Sequence, residues 1–272
     1  MLVAHTPDAD DAFMFYAMLK GKIPTRLKIE HLIEDIETLN RMAFEGKLDV
    51  TALSVHAYAY LDEKYRMLSA GASVGEGYGP IVVAKDSVDL NKAKIAIPGK
   101  FTTANLLLKL AIGDFKAVEM RFDEIIPSVK RGDVDAGLLI HEGQITYEMH
   151  GLKKVLDLWE FWYDQTTLPL PLGVNVINRR IPEEEQREFL RVMRESIRYA
   201  LENVDEALEH AMRYSRGLSR DLVRKFALMY VNDYTLEMPL KVVKAIEILY
   251  DMAEERGILR KPRMDILFLE GR

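Results

Sequence analysis

The chain of 272 residues contains no cysteine. Disulfides, thiolate-held metals, iron–sulfur clusters and cysteine nucleophiles are thereby excluded together. Basic runs are missing too: 37 Lys and Arg stand dispersed against 43 Asp and Glu, for a net charge of −6. That leaves no electrostatic footprint for nucleic acid or for an anionic membrane surface. No stretch reaches the roughly 18 apolar residues of a membrane span. The opening MLVAHTPDADDAFMFYAML places Asp8, Asp10 and Asp11 where a secretory leader needs its apolar stretch, so a soluble, cytoplasmic protein is expected. What is present is ordinary globular composition, 49% hydrophobic and 29% charged. It suffices for a sizeable core in one large domain or two small ones.

Through the first two thirds, short runs rich in Val, Ile and Leu alternate with helical patterns, as in a mostly parallel α/β sheet. The runs predict strands at 2–5, 28–33, 50–54, 81–84, 94–97, 117–121, 136–140, 155–158 and 173–177. From Pro182 onward the pattern predicts helices over about 183–202, 204–213, 219–230 and 238–256. Pro182 followed by three glutamates suits a helix start, and Gly257 a stop.

Two segments echo each other. FEGKLDVTALSVH lies around residue 46 and KRGDVDAGLLIHE around residue 132. Aligning Gly46 with Gly132 also matches Leu48 with Val134 and Asp49 with Asp135. Each copy follows a helical stretch and precedes an apolar strand ending in a polar residue, Ser54 in one and His141 in the other. Any βα protein reuses such punctuation, since Gly stops helices and Asp starts turns. Two such copies about one small domain apart nevertheless predict two similar lobes. Ligands of open α/β sheets bind beyond the carboxyl ends of strands, so facing lobes would share a cleft. The first lobe is expected to comprise residues 1–84 and 173–272, the second 85–172. TTLPLPLG, which cannot be helix at Pro169 and Pro171, suits the return crossing.

His141 is the leading candidate for chemistry, at the end of a buried strand and followed by Glu142-Gly143-Gln144. A neutral imidazole there suits proton abstraction near pH 7. Of the other five histidines among six, His5 and His56 also lie near strand ends, while His31, His150 and His210 read as structural or surface residues. Thr102-Thr103 opens the helical pattern of FTTANLLLKL; Thr102 is a competent N-cap, and the helix start presents N–H groups and a positive dipole end to a carboxylate or phosphate. Gly99-Lys100 lacks the preceding glycine of a Walker loop, and GEGYG precedes a strand instead of following one, so neither is a nucleotide fingerprint. Ser54 lacks the glycines of a nucleophile elbow and reads as a ligand hydrogen-bonder or a cap. Asp8, Asp10 and Asp11 read as helix-capping residues in preference to a metal site. Trp159, Trp162 and Tyr163 read as packing.

PDADDAFMFYAML, EDIETLNRMAFEG, ALSVHAYAY, GPIVVA, PGKFTTANLLLKL, DAGLLIHEGQITY and LPLPLGVNVINR occur in the order found in 1,4-dihydroxy-6-naphthoate synthases. The resemblance spans essentially the whole chain and is strongest over 6–178. It implies a two-lobed, type II periplasmic-binding-protein-like α/β fold with a central ligand cleft. It also implies a cytosolic lyase of the futalosine route to menaquinone. Such a lyase converts cyclic dehypoxanthinylfutalosine to the dihydroxynaphthoate with no metal or redox cofactor. The family's general base matches His141, and its substrate-contacting segments match Ala52-Leu53-Ser54 and Thr103-Ala104, with Thr102 at the same helix start. The implied partner is a small carboxylated molecule. One departure is the opening turn, where the family commonly has Ser-Pro and Asn-Asp and this chain has Thr6-Pro7 and Asp10-Asp11. Asp10 is therefore expected to add negative charge near an anion site.

Two other readings compete. Chorismate dehydratase of the same route shares the fold and also eliminates from a carboxylated ring; the IHEGQ segment argues against it. A non-catalytic module binding small carboxylates is the other, since this fold mainly serves binding.

Overall fold

The computed structural model describes residues 1–268. Its strands are β1 (Leu2–His5), β2 (Glu30–Ile33), β3 (Val50–Ser54), β4 (Tyr65–Leu68), β5 (Ser73–Gly75), β6 (Ile81–Ala84), β7 (Lys94–Ile97), β8 (Lys116–Glu119), β9 (Ala136–Leu139), β10 (Lys153–Asp157), β11 (Leu170–Asn178) and β12 (Ile266–Leu267). They form two sheets. One has seven strands in the order β12-β4-β11-β3-β1-β2, with β5 on β11; the other has five, in the order β10-β6-β9-β7-β8.

Both sheets are mixed, where a mostly parallel arrangement is expected from the alternating pattern. The parallel trio β2-β1-β3 of the first sheet has its counterpart in β8-β7-β9 of the second. In each sheet the trio then meets an antiparallel neighbour, β11 beside β3 and β6 beside β9. The sequence echo is therefore a structural repeat. Gly46 and Gly132 both turn the chain out of a helix with positive φ, 69° and 83°, which a residue without Cβ adopts freely. Leu48 and Val134 are buried behind them. The Asp49 carboxylate accepts the Leu2 N–H at 2.8 Å, and Asp135 accepts the Lys94 N–H at 2.7 Å. Each aspartate thus fixes the start of the neighbouring parallel strand.

Sheet membership shifts the expected division of the chain. The 81–84 strand, expected in the first lobe, lies in the second sheet, and β11 begins in the first sheet at Leu170, not 173. The crossings therefore fall in the turn-rich GEGYGP before Ile81 and in the segment before Leu170. They press on each other: a Cβ at Gly79 would lie 2.7 Å from Leu170 and 3.1 Å from Trp159. Trp162, fully buried, donates its indole N–H to both Leu168 O (2.8 Å) and Pro169 O (3.0 Å). Trp162 packs the crossing, while Tyr163 beside it is 45% exposed.

The C-terminal helices open at Glu183, Val204, Arg220 and Leu240. The Glu183–Glu202 helix packs on the helices that follow β1, while the Leu240–Glu255 helix lies on β11 and on the Thr103–Ile112 helix of the second lobe. One apolar core, including Leu53, Tyr65, Leu107, Leu138, Trp162 and Leu249, consequently runs through both lobes on the crossing side. Among the described residues no helix is long and apolar enough to cross a membrane.

Candidate active site

Beside that apolar core, which contributes Leu53 to its wall, the lobes enclose a cleft continuous with solvent. Ala52, Leu53, Ser54, Thr102, Thr103, Ala104 and His141 all line it. The fold brings them together because β3, the Thr103–Ile112 helix and β9 all end or begin at the same gap. His5 and His56 are not among its walls. His5 stacks on Phe15 with ring centres 4.7 Å apart, and His56 Nδ1 lies 3.2 Å from Thr102 O.

Ser54 is locked by Asn40, a buried residue of the Ile36–Phe44 helix. Its N–H donates to Asn40 Oδ1 at 3.0 Å, and Asn40 Nδ2 donates to Ser54 Oγ at 3.1 Å. Ser54 does not cap the helix that follows it. The Thr102 side chain does act as N-cap, accepting from Asn105 N at 3.2 Å. By position, the Thr103 and Ala104 N–H groups need an acceptor from outside their helix. The Thr103 hydroxyl donates to Leu172 O at 2.5 Å, so it ties the helix to β11 and is not a free donor for a ligand. Beside this turn Glu37, from the first lobe, accepts the Phe101 N–H at 3.0 Å. Burial raises the Glu37 carboxyl to about 7.

The acidic opening does not cap as expected. Asp8 sits at the N-cap position of the Ala9–Met14 helix, but its side chain makes no cap bond. Instead Asp8, 1% exposed, lies 2.9 Å from His141 Nδ1 and 2.8 Å from an Arg216 nitrogen. Asp11 accepts the Thr6 N–H at 2.6 Å and its hydroxyl at 2.9 Å. Asp10 faces the cleft, and burial, then the Asp11 and Asp8 charges, hold its carboxyl well above the usual carboxylate range. The turn therefore resists charge on Asp10, which weakens the negative charge expected there. Among the described residues no group of His, Asp and Glu has an arrangement that could hold a metal ion.

His141 departs from expectation as well. Burial alone would lower its proton affinity, but the Asp8 charge and hydrogen bond, with Glu142 and Asp10, outweigh it and raise the imidazole to about 9. Near pH 7 the ring is thus mainly the imidazolium, not the neutral form. Opposite effects fix its partner: burial resists charge on Asp8, yet His141 and Arg216 hold the carboxyl far below its ordinary value. With Nδ1 on Asp8, the ring turns Nε2 away from that pair, and Nε2 has no hydrogen-bond partner. Arg216 continues the network to Glu142, and Phe122 lies against both cations, 4.9 Å from the His141 ring and 4.8 Å from the Arg216 guanidinium carbon. Asp8, Arg216 and Asn40 escape reading from sequence, because each acts through a residue far along the chain or on a helix face without a motif.

Two lobes joined by paired crossings, with the cleft at the strand ends, give this chain a periplasmic-binding-protein-like fold; its cleft additionally holds a His–Asp pair. The alkanesulfonate-binding protein of Xanthomonas axonopodis pv. citri, solved with MOPS bound, has the same fold: TM-score 0.74 at 14% identity, covering 96% of this chain and 94% of that one. The family model described as menaquinone biosynthesis matches residues 1–255, and the chain belongs to that family. A relative from Thermus thermophilus, called 1,4-dihydroxy-6-naphthoate synthase, is 39% identical over 254 residues, 93% of each chain. The crystal structure of an Archaeoglobus fulgidus protein is 64% identical with a TM-score of 0.93, covering 95% of this chain and 98% of that one.

Proposed function

We propose that this chain is a cofactor-independent carbon–carbon lyase converting cyclic dehypoxanthinylfutalosine to 1,4-dihydroxy-6-naphthoate. The observation that carries this reading is His141 on the cleft wall, its Nδ1 side held by a buried carboxylate and its Nε2 unpartnered. In the neutral ring Asp8 selects the tautomer with the proton on Nδ1, leaving the Nε2 lone pair as the acceptor. His141 then removes a proton from a sugar hydroxyl. The electron pair left on that oxygen forms a carbonyl as the adjacent carbon–carbon bond breaks; the electrons of that bond pass into the ring system, whose aromatisation supplies the driving force. The substrate carboxylate is received at the start of the Thr103–Ile112 helix, where the Thr103 and Ala104 N–H groups and the dipole favour an anion. Ala52, Leu53 and Ser54 form the facing wall. The reaction belongs in the cytoplasm, which fractionation checks.

Because His141 titrates near 9, about one molecule in a hundred carries the neutral base at pH 7. Turnover at saturating substrate is therefore expected to rise about tenfold per pH unit and to level near pH 9. The direct experiment incubates the protein with cyclic dehypoxanthinylfutalosine, without added metal or nucleotide, and follows the naphthoate chromophore. Product formation that depends on His141 supports the reading. Turnover of chorismate instead assigns the chain to the sister dehydratase. A ligand-induced thermal shift with neither product makes it a binding module.

A further inference from the structure

Asp8 and His141 belong to different halves of the molecule. Asp8 follows β1 in the first lobe, and His141 follows β9 in the second. A second pair is split in the same way: Arg216, between C-terminal helices packed on the first lobe, reaches Glu142 of the second. Arg216 also donates to Asp8 (2.8 Å) and to Pro7 O (3.0 Å). Both residues that carry the contact, His141 and Arg216, hold positive φ, 55° and 48°. Side chains with a Cβ disfavour that region, so surrounding contacts must hold each loop in place. Here the loops hold one another, with the Phe122 ring against both. The back of the lobe seam is a continuous apolar core and this lip is a charged contact, so a rotation about the back would part the charged contact first.

We propose that the base is assembled across the cleft: Asp8 of the first lobe completes His141 of the second only when the lobes are closed, with Arg216 and Glu142 as the second rung of the same contact. This rests on reading His141 as the base. Asp8 is then a positioning residue. With the lobes apart, the imidazole loses the acceptor that fixes its tautomer and the charge that raises its proton affinity. Enclosure of substrate and maturation of the base become one event, which keeps the base weak while water has access. The charged and titratable groups facing the ring are Asp8, Asp10 and Glu142, with Arg216 sharing Asp8.

The absence of cysteine makes a clean test possible. Arg41 of the first lobe meets Glu119 of the second at 2.5 Å, and both are well exposed. The Arg41→Cys/Glu119→Cys protein can be bridged with a short bismaleimide to hold the lobes together, and His141 titrated by NMR in nitrogen-15-histidine-labelled protein. His141→Gln identifies its resonance among the six histidines. Bridged protein is expected to titrate near 9, unbridged and unliganded protein at least one pH unit lower, and Asp8→Asn is expected to erase the difference. Equal values with and without the bridge overturn the proposal, as does a bridged Asp8→Asn protein that still titrates near 9. The acidic limb of kcat, which reports the closed, liganded protein, gives a second readout: Asp8→Asn should move it toward the ordinary histidine range with KM little changed, and Asp8→Glu should restore part of the shift. A merely structural Asp8 would lower activity alike at every pH. If the titrations behave as stated but cyclic dehypoxanthinylfutalosine is not turned over, the functional reading fails and the assembly stands. If it is turned over while the titration is indifferent to both bridge and Asp8, the assembly fails and the functional reading stands.

Discussion

The two copies of the repeated unit end in corners that are built alike and finished differently. In the first, Gly46, Leu48 and Asp49 deliver β3 to Ser54, which keeps an ordinary φ of −62° and is clamped by Asn40 of its own lobe. In the second, Gly132, Val134 and Asp135 deliver β9 to His141, which has φ 55° and is held by Asp8 of the other lobe. On the proposed reading, the corner satisfied within its own lobe is preformed for binding, and the one that needs the opposite lobe is the one that can be switched for chemistry.

That contrast can be broken in measurable ways. The largest effect is expected from His141→Ala, with turnover falling about 10²–10⁴-fold while ligand affinity is largely spared; steady-state kinetics beside calorimetry would show it, and normal turnover would end the assignment. Next comes Asp8→Asn, which leaves buried positive charge without its partner and should cost about 3 kcal/mol. Its sign with pH follows from both partners. The lowered Asp8 contributes above about pH 4 and loses its effect as pH falls. The raised His141 contributes fully below about 6.5 and loses its effect as pH climbs through about 9. The difference in Tm between the parent and Asp8→Asn should therefore be widest between about pH 4 and 6.5 and close on either side; a gap constant with pH would contradict the ion pair. Asn40→Ala leaves two buried groups of Ser54 unpaired and should cost about 1–3 kcal/mol in denaturant unfolding. Ser54→Ala should do least, raising KM by the few-fold that one hydrogen bond of about 1 kcal/mol supports, with kcat retained. A loss in kcat there would erase the division between the two corners.

The strands were legible where apolar runs are continuous: β1, β3, β6 and β7 begin and end where the runs do. Those that escaped are short or interrupted. Arg66 breaks the run in β4, β5 has three residues ending in Gly75, and β12 has two. β11 starts earlier than read because Pro171 looks like a breaker, yet it sits beside an irregularity in the pairing with β5, where a missing N–H costs nothing. The 183–202 helix matches its predicted bounds, since the acidic first turn and amphipathic face mark both ends. At the site, residues lying at strand ends and a helix start could be found from their own neighbours in the chain. Arg216 could not, because its partner Asp8 is 208 residues away and its segment, SRGLS, looks like a linker.

The return crossing has an optical consequence. The chain contains two tryptophans, and both sit on the Leu158–Thr166 helix: Trp162 bonded to the crossing carbonyls, Trp159 against Gly79 of the outgoing segment and stacked on Tyr163. Indole emission from this protein therefore arises wholly at the pivot between the lobes. A change in its wavelength on adding a small molecule that does not itself absorb there reports a changed environment at that place, in unlabelled protein and in real time.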